Sequence, residues 1–364
     1  MRLKKSMLAA MTGVVATALA TGSAAARPVQ QAGSLQWANT ATHRQPATFN
    51  DVASGAGGTW AVGGDQVEDF TDQRPLAMRW DGKTWKATAQ PVTTNATLES
   101  VAVGTATNVW AVGEDRTDPE KTKPLAMHWN GTKWQVVKPP AVPTGSFDDV
   151  VVAPDKSVWV AGWANVGGTE RAVVYRYAGG KWQALYAGLE TSINGNVLAV
   201  LSANNAWLGL NAGLAHFDGK RWTLVKDLPV DGSQIPTGIA AAGPKNIWLV
   251  GVRYASGIAP LALHYNGTKW AQVPVPTGMA QLYDVVLRNN SPVAVGERFE
   301  GADSEIAKPF VLQLSGSKFV TAPAPSAPTG TLTAITTTKD RTWTVGMTAA
   351  DVQSPFTALA AYSR

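Results

Sequence analysis

The chain has 364 residues, 45% of them hydrophobic, with 15 tryptophans, 31 Lys+Arg against 26 Asp+Glu, and no cysteine. Without cysteine there are no disulfides, thiolate metal sites, cysteine nucleophiles or lipid-modified N-terminal cysteines. The small basic excess comes without a block of like charge, which excludes an electrostatic nucleic-acid face.

In chain order, residues 1–26 read as a secretion signal peptide. Arg2, Lys4 and Lys5 give a positive start, Met7 to Ala20 is apolar, and Ala24-Ala25-Ala26 is a small-residue cleavage site. The apolar run is too short for a membrane span, so an extracellular chain with no membrane insertion is expected. Cleavage would remove three basic residues and leave 28 Lys+Arg against 26 Asp+Glu in a single domain, residues 27–364.

The rest of the chain repeats. A tryptophan recurs in GGTWAVG (Trp60), TNVWAVG (Trp110), KSVWVAG (Trp159), NNAWLGL (Trp207), KNIWLVG (Trp248) and DRTWTVG (Trp343), with Val293 in the same slot of SPVAVG. A second aromatic series follows a turn signal: Trp85, Trp134, Trp182, Trp222, Trp270 and Phe319. Its members lie 49, 48, 40, 48 and 49 residues apart, a period that means stacked or radially arranged copies of one unit. Residues 147–188 serve as the template. They predict strands at 147–153, 158–162, 171–177 and 181–185, a loop at 163–170 and a tight turn at 178–180. Because the last turn is DG, NG, GG or SG in every copy, a two-residue hairpin is expected.

Six complete units span about 49–92, 98–140, 147–188, 197–229, 236–276 and 282–325; a seventh, from 332, stops after three strands. Its fourth strand is supplied by Ser34 to Ala41, where Trp37 lies one period before Trp85. The prediction is an all-β fold: a seven-bladed β-propeller of four-stranded antiparallel blades, the last closed by the N-terminal strand.

The repeat also sorts the candidates for chemistry. His128, His216 and His264 occupy one third-strand position, held elsewhere by Arg79, Arg176 and Gln313. Equivalent positions in a ring point apart, so these histidines are expected to be structural. His43 stands alone. No metal and no cofactor are expected, since HExxH, GxSxG, Walker A and GxGxxG are absent. Asp51, Asp149 and Asp284 recur on the first strand, where bonding to backbone is the favoured reading. Adjacent pairs such as Asp148-Asp149 are expected to face opposite ways.

Strand cores repeat while the segments after each VG vary, and variable loops on a repeating scaffold are where binding surfaces are built. The candidate ligand-binding ring at the tunnel mouth is Asp65, Glu114, Asp115, Trp163, Arg253, Tyr254, Glu297 and Arg298. An exposed indole beside acidic groups and arginine suits a sugar; the alternative is that Trp163 packs locally on its own loop.

The phrase VWAVG…PLALHW-N/D-GTKW, clearest in Pro124–Trp129 and Pro260–Tyr265, resembles secreted propellers of actinobacteria. These include propeller lectins such as the lectin subunits of streptomycete umbrella toxin particles. The resemblance implies a noncatalytic, carbohydrate-binding module at cell surfaces or in an extracellular assembly. Its partner would be a cell-surface glycan or a secreted protein. A protein-interaction scaffold, or a hydrolase or lyase with carboxylates at the tunnel mouth, are the alternatives.

Overall fold

The computed structural model describes residues 34–42, 46–66, 73–118, 120–187, 197–211, 213–230, 232–255, 257–300, 306–351 and 354–364. The expected signal segment and His43 lie outside them. No helix among the described residues is long and apolar enough to cross a membrane.

Seven four-stranded antiparallel sheets form a ring. Their innermost strands are Ala47–Gly55, Ala96–Thr105, Gly145–Val152, Val197–Ser202, Gln234–Gly243, Ala280–Arg288 and Thr329–Thr337, which define blades 1 to 7. The ring closes as the repeat requires. Trp37–Thr40 pairs antiparallel with Thr357–Ser363, Trp37 opposite Ser363. Leu35 is fully buried among Val293, Val295 and Leu332, and the Trp37 indole N–H donates to the Pro323 carbonyl at 2.8 Å.

The tryptophans pack between blades. Second-strand Trp residues meet the aromatic that follows the hairpin of the next blade, Trp60 with Trp134 at 5.3 Å, Trp207 with Trp270 at 5.7 Å and Trp343 with Trp85 at 5.4 Å, while Trp159 meets the third-strand Phe217 at 5.8 Å. Indole N–H groups reach back across the same seam, Trp134 to Thr88 Oγ1 at 2.9 Å and Trp182 to the Lys138 carbonyl at 3.0 Å. The outer strand of each blade is therefore held to its predecessor as well as to its own sheet. Truncating one such buried ring costs about 3–5 kcal/mol.

The third-strand series covers the same rings. His216 and His264 lie 4.2 Å from Trp207 and Trp248, and His128 lies 4.9 Å from Trp110. Arg79 and Arg176 sit over Trp60 and Trp159. Each histidine Nε2 donates to an Asn side-chain oxygen, Asn108, Asn205 or Asn246, at 2.9–3.1 Å. Burial lowers all three histidine pKa values and favours the neutral ring. The three are structural.

Two local expectations are corrected. In blades 1, 2, 4 and 5 the last hairpin is a four-residue loop, as in Asp81–Thr84. Asp81, Asn130, Asp218 and Asn266 each accept two loop N–H groups there. Two-residue turns occur in blades 3 and 6, between Ala178 and Lys181 and between Ser315 and Lys318. The loop expected at 163–170 is mostly strand. Val158–Val166 continues to a two-residue turn at Gly167-Gly168, both at positive φ, before Thr169–Ala178 begins.

The innermost strand has a feature that periodicity does not reveal. In six blades a β-bulge interrupts it, at Asn50, Glu99, Asp148, Thr237, Tyr283 and Thr333. The bulge pulls this strand against the second strand, and the glycine of the VG motif is the consequence. A Cβ on Gly63, Gly113, Gly162, Gly251, Gly296 or Gly346 would lie 2.0–2.2 Å from a carbonyl oxygen of the inner strand. Blade 4 carries Leu210 instead.

Two outcomes follow. Leu35→Ala should destabilise the fold by about 2–4 kcal/mol, read as a lowered urea midpoint, because it unseats the closing strand. Gly162→Ala should cost about 2 kcal/mol or more through backbone overpacking, although it adds one methyl group.

Candidate functional site

A cavity of about 410 Å³ runs along the axis, walled by the inner strands of all seven blades. Each bulge turns two successive side chains inward, the bulged residue and the one after it. Asp148 and Asp149 consequently both line the cavity, where regular alternation would have separated them. Five carboxyl groups share this wall: Asp51, Glu99, Asp148, Asp149 and Asp284. No Lys, Arg or His is among the described residues that line it.

Three of these carboxylates are seam clamps. Asp51 accepts the Val52 N–H at 2.6 Å on its own blade and the Val101 N–H at 2.8 Å on blade 2. Asp149 spans Val150 and Leu198, both at 2.7 Å, and Asp284 spans Val285 at 2.7 Å and Ile335 at 2.9 Å. In blade 2 the equivalent residue is Ser100, which touches Asp51, Asp149 and the Val150 N–H. Bulged residues stitch other seams: Thr237 donates to the Leu282 carbonyl at 2.6 Å, Thr333 to that of Phe49 at 2.8 Å, and Asn50 to that of Leu98 at 3.0 Å. Blade 5 has Gly238 at the clamp position because a Cβ there would lie 2.6 Å from Asp284 Cα. Bonding of the Asp series to backbone is thus observed, and it crosses from blade to blade.

Burial raises the pKa of Asp51, Asp149 and Asp284, and that of Asp149 reaches about 7. Glu99 is also pushed to about 7, first by burial and then by the charge of Glu114. It takes the Asn50 side-chain N–H at 3.2 Å. A carboxyl that stays protonated up to neutrality can both donate and accept a hydrogen bond.

At the mouth, between blades 5, 6 and 7, a second polar group is built around Glu297. This side chain is 7% exposed and accepts from Gln281 Nε2 at 2.6 Å, Tyr283 OH at 2.7 Å and Thr331 Oγ1. Tyr283 is the bulged residue of blade 6 and lines the cavity. Burial and the adjacent Glu297 charge raise its pKa, as does Tyr254, which is near enough to interact electrostatically. Tyr254 itself is 47% exposed. The arrangement is a buried carboxylate fixing a phenol and an amide, with a second phenol outside.

The eight residues expected at the mouth fare unequally. Tyr254 and Glu297 come together through Tyr283. Glu114, equivalent to Glu297 in blade 2, is buried, pairs with Arg116 and acts electrostatically on Glu99. Trp163 is not an exposed loop residue. It is partly buried within Val158–Val166, between Ser146 and Ala172, because the hairpin extends past it. Arg253 lines a separate groove of about 340 Å³ with Pro260, Gln272 and Pro274. Arg298 forms an exposed ion pair with Glu300 at 2.5 Å. Asp65 and Asp115 end their strands, accepting the N–H groups of Gln66 and Thr117.

Sequence reasoning missed Glu99, Ser100, Gln281, Tyr283 and Thr331. The signal was available in part: Ser100 lies 49 residues from both Asp51 and Asp149, and Glu99 and Tyr283 immediately precede members of that series.

No family model and no curated protein matches this chain. Solved structures do. YCF48 bound to a D1 peptide aligns over 93% of this chain and 99% of its own, at 14% identity and TM-score 0.59. The RRP9 WD40 repeats align over 92% and 99%, at 7% identity and TM-score 0.61. A GH74 xyloglucanase from Xanthomonas campestris aligns over 89% of this chain and 55% of its own, at 13% identity and TM-score 0.59. The fold is a seven-bladed β-propeller. At these identities the likeness extends to architecture, and the neighbours include enzymes and non-enzymes alike.

Because Glu99 holds its proton to higher pH in the fold than when unfolded, its contribution to stability is complete below its ordinary range, about 4.3. That contribution is lost as pH rises through about 7. The melting temperature should therefore fall between pH 5 and pH 8.5, and Glu99→Gln should reduce that fall.

Proposed function

We propose that this chain is an exported, noncatalytic binding module with lectin-like carbohydrate recognition, and that its recognising face is the tunnel mouth at blades 5 to 7. It would act at cell surfaces, alone or as a subunit of an extracellular assembly of the toxin-particle type. The composition of residues 1–26 supports export. The observation that carries the reading is the Glu297 group. Gln281 and Tyr283 are held in place by a buried carboxylate, with an exposed Tyr254 near enough to act on Tyr283. Sites for small polar ligands combine an aromatic surface with a few fixed polar groups. Asp51, Asp149 and Asp284, each committed to two backbone N–H groups, argue against acid–base chemistry in the tunnel.

A second reading, a protein-interaction scaffold, has its own support. Tyr254, Met279 and Ile306 are large apolar or aromatic side chains exposed by 47%, 42% and 39%. All three stand at the mouth-side ends of strands in blades 5 and 6. A surface of this kind fits a protein partner as well as a glycan. YCF48 and the RRP9 repeats are non-enzymatic company for it by fold alone.

A glycan array with the wild-type chain and Tyr254→Ala separates the two. The lectin reading expects specific binding that weakens about tenfold or more in the variant, about 1.4 kcal/mol, with an unchanged melting temperature. An empty array together with a stoichiometric protein partner recovered from culture fluid, lost on Met279→Glu, would replace it with the scaffold.

A further inference from the structure

The contacts around Ser100 pose a problem in proton counting. Its Oγ lies 2.8 Å from Asp51 Oδ2 and 3.0 Å from Asp149 Oδ1. Each O···O contact of that length needs a hydrogen between the oxygens. The backbone cannot supply it: the Val101 N–H is spent on Asp51 Oδ2, the Leu198 N–H on Asp149 Oδ2, and the Val150 N–H on Asp149 Oδ1 with a longer contact of 3.3 Å to Ser100. Ser100 owns one hydroxyl hydrogen and two acidic neighbours. With both carboxyls ionised, one contact would set lone pairs against lone pairs in a poorly solvated wall.

We propose that Asp51, Ser100 and Asp149 share one additional proton, so that the inner seam from blade 1 to blade 4 is fully bonded only while one carboxyl of this trio is neutral. The neutral carboxyl donates to Ser100 Oγ, and Ser100 donates to the other, ionised one. On deprotonation the hydrogen ion goes to water, no other bond forms or breaks, and Ser100 must release one of its two partners. The two carboxylates then face each other across the seam with no internal cation to offset them. The other ionisable groups on the cavity wall are Asp284, Asp148, Glu99 and Tyr283. Asp51 raises the pKa of Asp149 by its charge, both raise that of Asp284, and none of the described wall groups is a cation that would offset a second negative charge. The trio is thus a pH-sensitive fastening built into three consecutive blades.

The test uses the full chain labelled with carbon-13 at the Asp carboxyl carbons, which leaves Glu99 silent. Asp51→Asn and Asp149→Asn assign the resonances, and Ser100→Ala removes the bridge. The expected result is a coupled pair that releases its last proton near pH 7, with the melting temperature falling over the same interval. In Ser100→Ala that titration should shift and the fall diminish. If the Asn variants do not fold, Ser100→Ala against wild type decides alone. Both carboxyls ionised at pH 5, a titration indifferent to Ser100→Ala, or proton release without loss of melting temperature would each overturn the proposal.

Discussion

A one-residue bulge in the innermost strand organises this propeller. In six blades it turns two consecutive positions, a lining residue and a clamp position, toward the axis. The clamp caps a backbone N–H of the next blade. Where the clamp position is Gly238 or Ala334, the bulged Thr237 or Thr333 takes over by donating to a carbonyl. Among the described residues, six seams are tied by one device or the other. Across the seam from blade 4 to blade 5, Trp207 packs against Tyr265 and Trp270. The same bulge dictates glycine on the second strand, which links the VG motif to the cavity wall.

Polarity is therefore distributed by radius. Near the axis the seams are held by hydrogen bonds to carboxyls and hydroxyls. Farther out they are held by rings stacked from blade to blade, with histidine, arginine or tyrosine laid over them. Without disulfides, this division keeps polar groups at the axis and apolar packing between blades. A ligand at the mouth would meet a rigid framework whose own carboxylates are already engaged, leaving recognition to Tyr254, Tyr283, Gln281 and Glu99.

The architecture was legible in the sequence because it is written in large, periodic side chains. Trp60 to Trp343, the Trp85 series and Trp37 fix blade number, order and closure. The structural role of the histidines and of the Asp series followed from the same alignment of copies. The mouth was legible only in part. A bulge has no period, so Asp148 and Asp149 read as opposed when they are neighbours. The repeat does not mark where the second strand of blade 3 ends, and the Gly167-Gly168 turn carries that hairpin past Trp163. Tyr283 and Gln281 were missed because each matters through a residue fifteen or so positions away, Glu297, that only strand pairing brings beside it.

Four outer-strand indoles reach back to the preceding blade and give the ring a direction. Thr88 waits for Trp134, Lys138 for Trp182, Thr40 for Trp85, and Pro323 for Trp37. The last of these dependencies runs from one end of the chain to the other. The seam of blade 6 is thus tied by a residue that precedes every blade in the chain, and that tie waits on closure of the ring.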